Sequence, residues 1–129
     1  MEGDAKKELD DFDEWLDRYL TNIKLRQDHP YVGDLIKVLR GYRMGRPRIR
    51  VLEILESQRK EAGLPMPNAF EESVQSSFNR HSSDSKVFER NKKENELPLF
   101  FSPGGKGSGK WAVHEDNALK WLKSHLISL

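Results

Sequence analysis

In the N-terminal part of the chain the apolar positions Leu9, Phe12, Trp15, Leu16, Tyr19, Leu20 and Ile23 recur at steps of three and four. That spacing places them on one face of a helix and predicts an amphipathic helix from Leu9 to about Arg26. Its polar face is acidic at the start (Asp10, Asp11, Asp13, Glu14, Asp17) and basic at the end (Lys24, Arg26), as the helix dipole favours. His29-Pro30 stops this helix, and Val32, Leu35, Ile36 and Leu39 predict a short second one ending near Gly41. A third runs from Pro47 through "RIRVLEILESQRKEA" to a cap at Gly63, with Ile49, Leu52 and Leu55 as its buried stripe.

"GLPMPN" interrupts the pattern, and Asn68 offers a cap for a fourth helix carrying Phe70, Val74 and Phe78 on its inner face. That helix exposes Gln75, Ser76, Asn79 and Arg80. "HSSDS" at 81–85 reads as a turn, and "ERNKKENE" at 89–96 as a solvated loop. "LPLFFS" and "KWAVH" are dense in strand-favouring residues and predict one antiparallel hairpin. "EDNALKWLKSHLISL" closes the chain as a helix, with Leu119, Trp121, Leu122, Leu126 and Ile127 apolar.

Length and composition narrow the picture. The 129 residues suit one domain with a helical extension, and a 33% charged fraction means the apolar residues must be grouped on element faces to bury anything. No apolar run approaches the roughly 20 residues of a membrane span, and "MEGDAKKELDDF" lacks the apolar core of a secretory signal, so the expected location is cytoplasmic, with no membrane partner. The absence of cysteine excludes disulfides, thiolate metal sites and cysteine nucleophiles.

A net charge of +1 conceals an asymmetry: residues 1–28 hold nine acidic and five basic side chains, residues 29–129 twelve acidic and seventeen basic. The densest basic cluster is "RGYRMGRPRIR", with Arg40, Arg43, Arg46, Arg48 and Arg50. It suits phosphates, or equally a solvated helix start paired with Glu53 and Glu56.

"PGGKGSGKW", 103–111, nearly spells a nucleotide-binding phosphate loop, since Gly104, Gly109 and Lys110 fit G-x-x-x-x-G-K. The residue that should hold magnesium is Trp111, and "WAVH" continues as a strand where a helix is required, so the stretch reads as a glycine-rich hairpin connection. Its glycines permit positive φ, and Lys106 and Lys110 sit on or beside its tip. "RHSSDS" lacks the spatial alignment of a catalytic triad, and the acids of "HEDN" at 114–117 suit a helix start better than a metal site. No catalytic residue, metal or cofactor is therefore expected. Trp111, Trp121, Phe100 and Phe101 fit core packing better than base stacking.

The order of elements from residue 47 is compatible with a winged helix-turn-helix. "FEESVQSSFNRHSSDSKVF", "LPLFF" and "GKGSGKWAV" resemble the winged-helix domain of bacterial modification-dependent restriction proteins, often found beside an HNH-type nuclease domain. The resemblance rests on Val74, His81 to Ser85, Leu99-Phe100 and Gly107 to Trp111, about a third of the chain. It implies duplex-DNA binding, and in some relatives sensing of a methylated base. The expected fold is mainly α with a small β-hairpin, 1–44 forming an N-terminal helical extension and 45–129 the winged-helix domain.

The residues themselves allow base reading by Gln75, Asn79 and Arg80, and phosphate contacts by Ser76, Ser77 and Lys106 or Lys110. Glu71 and Glu72 weigh against a strongly basic helix. The alternative is a protein-interaction or dimerisation adaptor, in which Trp15, Tyr19 and Leu20 cover the second unit or pair with another copy.

Overall fold

The amphipathic pattern of the first segment forms α1 (Glu2–Leu20) and α2 (Ile23–Asp28), two helices where the apolar spacing predicts one. The break is made by Asn22, which takes an extended backbone and accepts a hydrogen bond from the Leu25 N–H at 3.0 Å. The computed structural model describes residues 2–105 and 107–127, and side chains from Asp11 onward. Lys106, one of the two lysines expected on the wing, lies outside the described residues.

α3 (Val32–Leu39) follows, then a two-residue strand β1 (Arg46–Pro47) that runs directly into α4 (Arg48–Glu61). The stripe of α4 is Val51, Leu52 and Leu55; Ile49, expected inside, is 68% exposed because at about 100° per residue it lies roughly 110° round the helix from the centre of that stripe. Gly63 closes α4 as expected, its N–H bonded to the Lys60 carbonyl and that of Leu64 to the Arg59 carbonyl. α5 (Phe70–Arg80) buries Phe70, Val74 and Phe78. Ala69, and not Asn68, stands at its cap position.

Residues 89–91, expected as the start of a solvated loop, instead end a short helix, α6 (Lys86–Asn91), capped by the Ser85 hydroxyl on the Val87 N–H and anchored by buried Phe88. β2 (Phe100–Phe101), β3 (Lys110–Val113) and α7 (Glu115–Ile127) complete the described chain. The fold is thus mainly helical with a small antiparallel sheet. The sheet has three strands in the order β1-β3-β2, pairing Arg46 with Trp111 and Phe100 with Val113. Gly45, at φ +80°, lets the chain before β1 approach the hairpin closely: a Cβ there would lie 2.9 Å from Pro103 Cγ and from the Trp111 carbonyl oxygen.

One apolar cluster takes Phe12, Leu16 and Tyr19 from α1, Leu35, Ile36 and Leu39 from α3, Val51 and Leu55 from α4, Val74 and Phe78 from α5, and Leu122 from α7. It runs across the 44/45 boundary drawn from sequence. Tyr19 is fully buried, its ring 5.1 Å from that of Trp121 and its hydroxyl donating to the Leu25 carbonyl. Trp15 and Leu20 are half-buried against the same cluster. Among the described residues, no helix is long and apolar enough to cross a membrane.

Candidate nucleic-acid interface

Because Phe70, Val74 and Phe78 occupy the inner face of α5, its polar residues divide between two flanks. Gln75 and Asn79, one turn apart, face the hairpin. Together with Arg48, Asp84, Lys86, Arg90, Lys110 and Trp111 they line a concavity of about 390 Å³ bounded by the start of α4, α5, α6 and the 102–110 connection.

The walls are fixed by aromatic and backbone contacts. Phe78 stacks between Trp111, at 4.2 Å, and Phe100, at 5.3 Å, so α5 is clamped to both hairpin strands. The turn between α5 and α6 is bonded to β2: the N–H groups of Leu99 and Phe100 donate to the His81 carbonyl, and the Ser83 N–H to the Phe100 carbonyl. The Asp84 carboxylate accepts the Ser102 N–H at 2.6 Å, tying that turn to the base of the connection. The Arg48 N–H donates to the Gly109 carbonyl at 2.8 Å. Gly104, Gly105, Gly107 and Gly109 all have positive φ, as the hairpin reading of "PGGKGSGKW" requires.

Among the described residues, four cations, Arg48, Lys86, Arg90 and Lys110, line this concavity against a single carboxylate, Asp84. Lys86 and Arg90 lie one turn apart on α6 and so share a face. Arg48 is half-buried and donates from Nε to the Gln75 Oε1 at 2.6 Å; Gln75 in turn donates from Nε2 to the Asn79 Oδ1 at 3.2 Å.

The remaining residues singled out from sequence point elsewhere. Ser76, Ser77 and Arg80 line a larger concavity, about 640 Å³, on the opposite flank of α5. Ser77 donates its hydroxyl to the Pro30 carbonyl at 2.7 Å, and Arg80 holds the Glu96 carboxylate with both terminal nitrogens at 2.8 and 3.0 Å. Burial raises the pKa of the Glu96 carboxyl, but the bonds from Arg80 and the Lys93 N–H outweigh it and hold it below the usual range. This concavity carries Asp28, Glu94 and Glu96 against Arg80 and Lys93, so it does not favour a polyanion. His29, His81 and His125 converge there on Trp121, with ring separations of 4.3 to 6.2 Å.

The structure therefore groups Gln75, Asn79 and Lys110 and separates them from Ser76, Ser77 and Arg80. Two cations of the concavity, Lys86 and Arg90, are absent from the sequence reading. Ser85 followed by Val87 and Phe88 is the cap-and-anchor signal that marks their helix. Arg48 belongs to the arginine cluster of 40–50, and only folding brings it to Gln75. Compared with protein-family models, curated proteins and solved structures, the chain matches none.

Proposed function

We propose that this chain is a non-catalytic winged helix-turn-helix module that binds duplex DNA through the concavity between α5, α6 and the glycine-rich wing. The observation that carries the reading is the convergence of Arg48, Lys86, Arg90 and Lys110 on one concave face with a single carboxylate. Two further features support it. The strand order β1-β3-β2 puts a hairpin wing beside two helices joined by a tight turn, and the amides of Gln75 and Asn79 stand on the floor between the cations. The resemblance of residues 70–114 to the winged-helix domains of modification-dependent restriction proteins leads to the same reading and extends it to bacterial defence or regulation.

The rival reading, a protein-interaction adaptor, is favoured by the near-neutral net charge and by the exposure of Tyr42, Met44 and Ile49 beside β1. Charge substitutions separate the two. The combined change Lys86→Gln, Arg90→Gln and Lys110→Gln is expected to weaken binding to every duplex and to reduce the slope of log K against log salt by roughly 3, one per lost phosphate contact. Lys93→Gln, on the opposite flank, is expected to leave both unchanged. Equal losses from the two variants would remove the assignment of the face.

A further inference from the structure

The hydrogen-bond chain Arg48–Gln75–Asn79 has only one possible polarity. A guanidinium donates and cannot accept, so the atom of Gln75 that meets Arg48 Nε at 2.6 Å is the amide oxygen. The Gln75 nitrogen then faces Asn79 at 3.2 Å, which makes the Asn79 atom there an oxygen as well. Each amide oxygen thereby accepts one bond within the protein and is turned toward its protein partner. The donors without an acceptor among the described residues are the terminal nitrogens of Arg48 and the amide nitrogen of Asn79. Both residues line the concavity, Arg48 oriented by Gln75 on one side and by the Trp111 ring 5.9 Å away on the other.

Bidentate recognition of adenine by Asn or Gln needs the oxygen and nitrogen of one amide turned together to the base, and here the Gln75 oxygen is turned to Arg48 while the Gln75 nitrogen and the Asn79 oxygen are turned to each other. A fork of donors matches guanine, whose major-groove edge presents two adjacent acceptors, O6 and N7. We infer that Arg48, positioned by Gln75, reads a guanine in the duplex, and that the wing-side face prefers a guanine-bearing site over one with adenine at that position. This inference rests on the duplex-binding reading and adds to it the base that is selected.

The test is selection from a randomised duplex library followed by anisotropy measurements on the enriched and base-swapped duplexes, with wild type, Arg48→Lys and Gln75→Ala. Arg48→Lys retains the charge but loses the fork. The expected result is enrichment of guanine at one position, with discrimination of about 5- to 100-fold over adenine. In Arg48→Lys that discrimination collapses, while affinity for the adenine duplex stays within about threefold. Gln75→Ala frees the guanidinium and lowers discrimination more than it lowers affinity for the adenine duplex, which a merely structural loss would not do. Guanine enrichment that survives Arg48→Lys, or enrichment lacking guanine, overturns the assignment while leaving duplex binding intact. Wild type that binds no duplex overturns the duplex-binding reading itself, and this inference with it.

Discussion

Phe78→Ala is expected to destabilise the protein by about 3–5 kcal/mol, the range for removing a buried aromatic side chain. Phe78 is 2% exposed and stacks on both Trp111 and Phe100, so its truncation removes both ring contacts at once and leaves a cavity in the core. The loss is a large part of the roughly 5–15 kcal/mol available to a domain. Because the ring links α5 to the two strands of the β2–β3 hairpin, the same change should loosen the hairpin relative to α5. Urea unfolding monitored by tryptophan fluorescence gives the magnitude, since Trp111 lies in the affected stack. A midpoint unchanged from wild type would show that the stack does not hold helix and hairpin together. Phe78→Leu, which keeps most of the apolar volume, is expected to cost markedly less.

Acidification should also destabilise the fold, through His81. Burial, aided by the neighbouring Arg80, lowers its pKa from 6.5 to about 4, with Glu96 opposing. In the unfolded chain the imidazole takes up its proton near pH 6.5, whereas in the folded chain it stays neutral until about pH 4. The unfolded state therefore binds more protons between those values, and stability falls as pH drops through that window. It is fully present above pH 6.5, and the contribution levels off below pH 4. The full shift corresponds to about 3 kcal/mol. His29, which faces His125 at 4.8 Å, is lowered by burial and by that neighbour, and acts in the same direction. His81→Gln removes the titrating group, so the difference in unfolding free energy between wild type and this variant should change by about 3 kcal/mol from pH 7 to pH 4. A constant difference across that range would contradict the burial of a neutral His81.

The longer helices are legible in the sequence because their apolar positions repeat often enough to define a face. Phe70, Val74 and Phe78 mark α5, and Val32, Leu35, Ile36 and Leu39 mark α3. α6 is not, because six residues do not complete two turns and its only buried anchor is Phe88. β1 is equally hidden: Arg46-Pro47 becomes a strand only through pairing with Trp111 and Lys110 far along the chain. The limit is the same at the candidate site. The inner face of α5 is readable, but Gln75 and Asn79 on one flank and Ser77 and Arg80 on the other look alike until the hairpin and the 92–97 loop pack against opposite sides. The glycine-rich connection could be read correctly, since Trp111 contradicts a phosphate loop chemically. Its partner cations Lys86 and Arg90 could not be assigned without the turn that Asp84 ties to Ser102.

The central claim is that Lys86, Arg90 and Lys110 around this concavity meet the backbone phosphates of a duplex. The most direct measurement is the equilibrium affinity of the wild-type chain for a short duplex at 50 and 200 mM monovalent salt. Three phosphate contacts predict a slope of log K against log salt of about −2.7, so the affinity should fall roughly 40-fold over that interval. No binding at 50 mM salt, or an affinity that does not change with salt, would contradict the account.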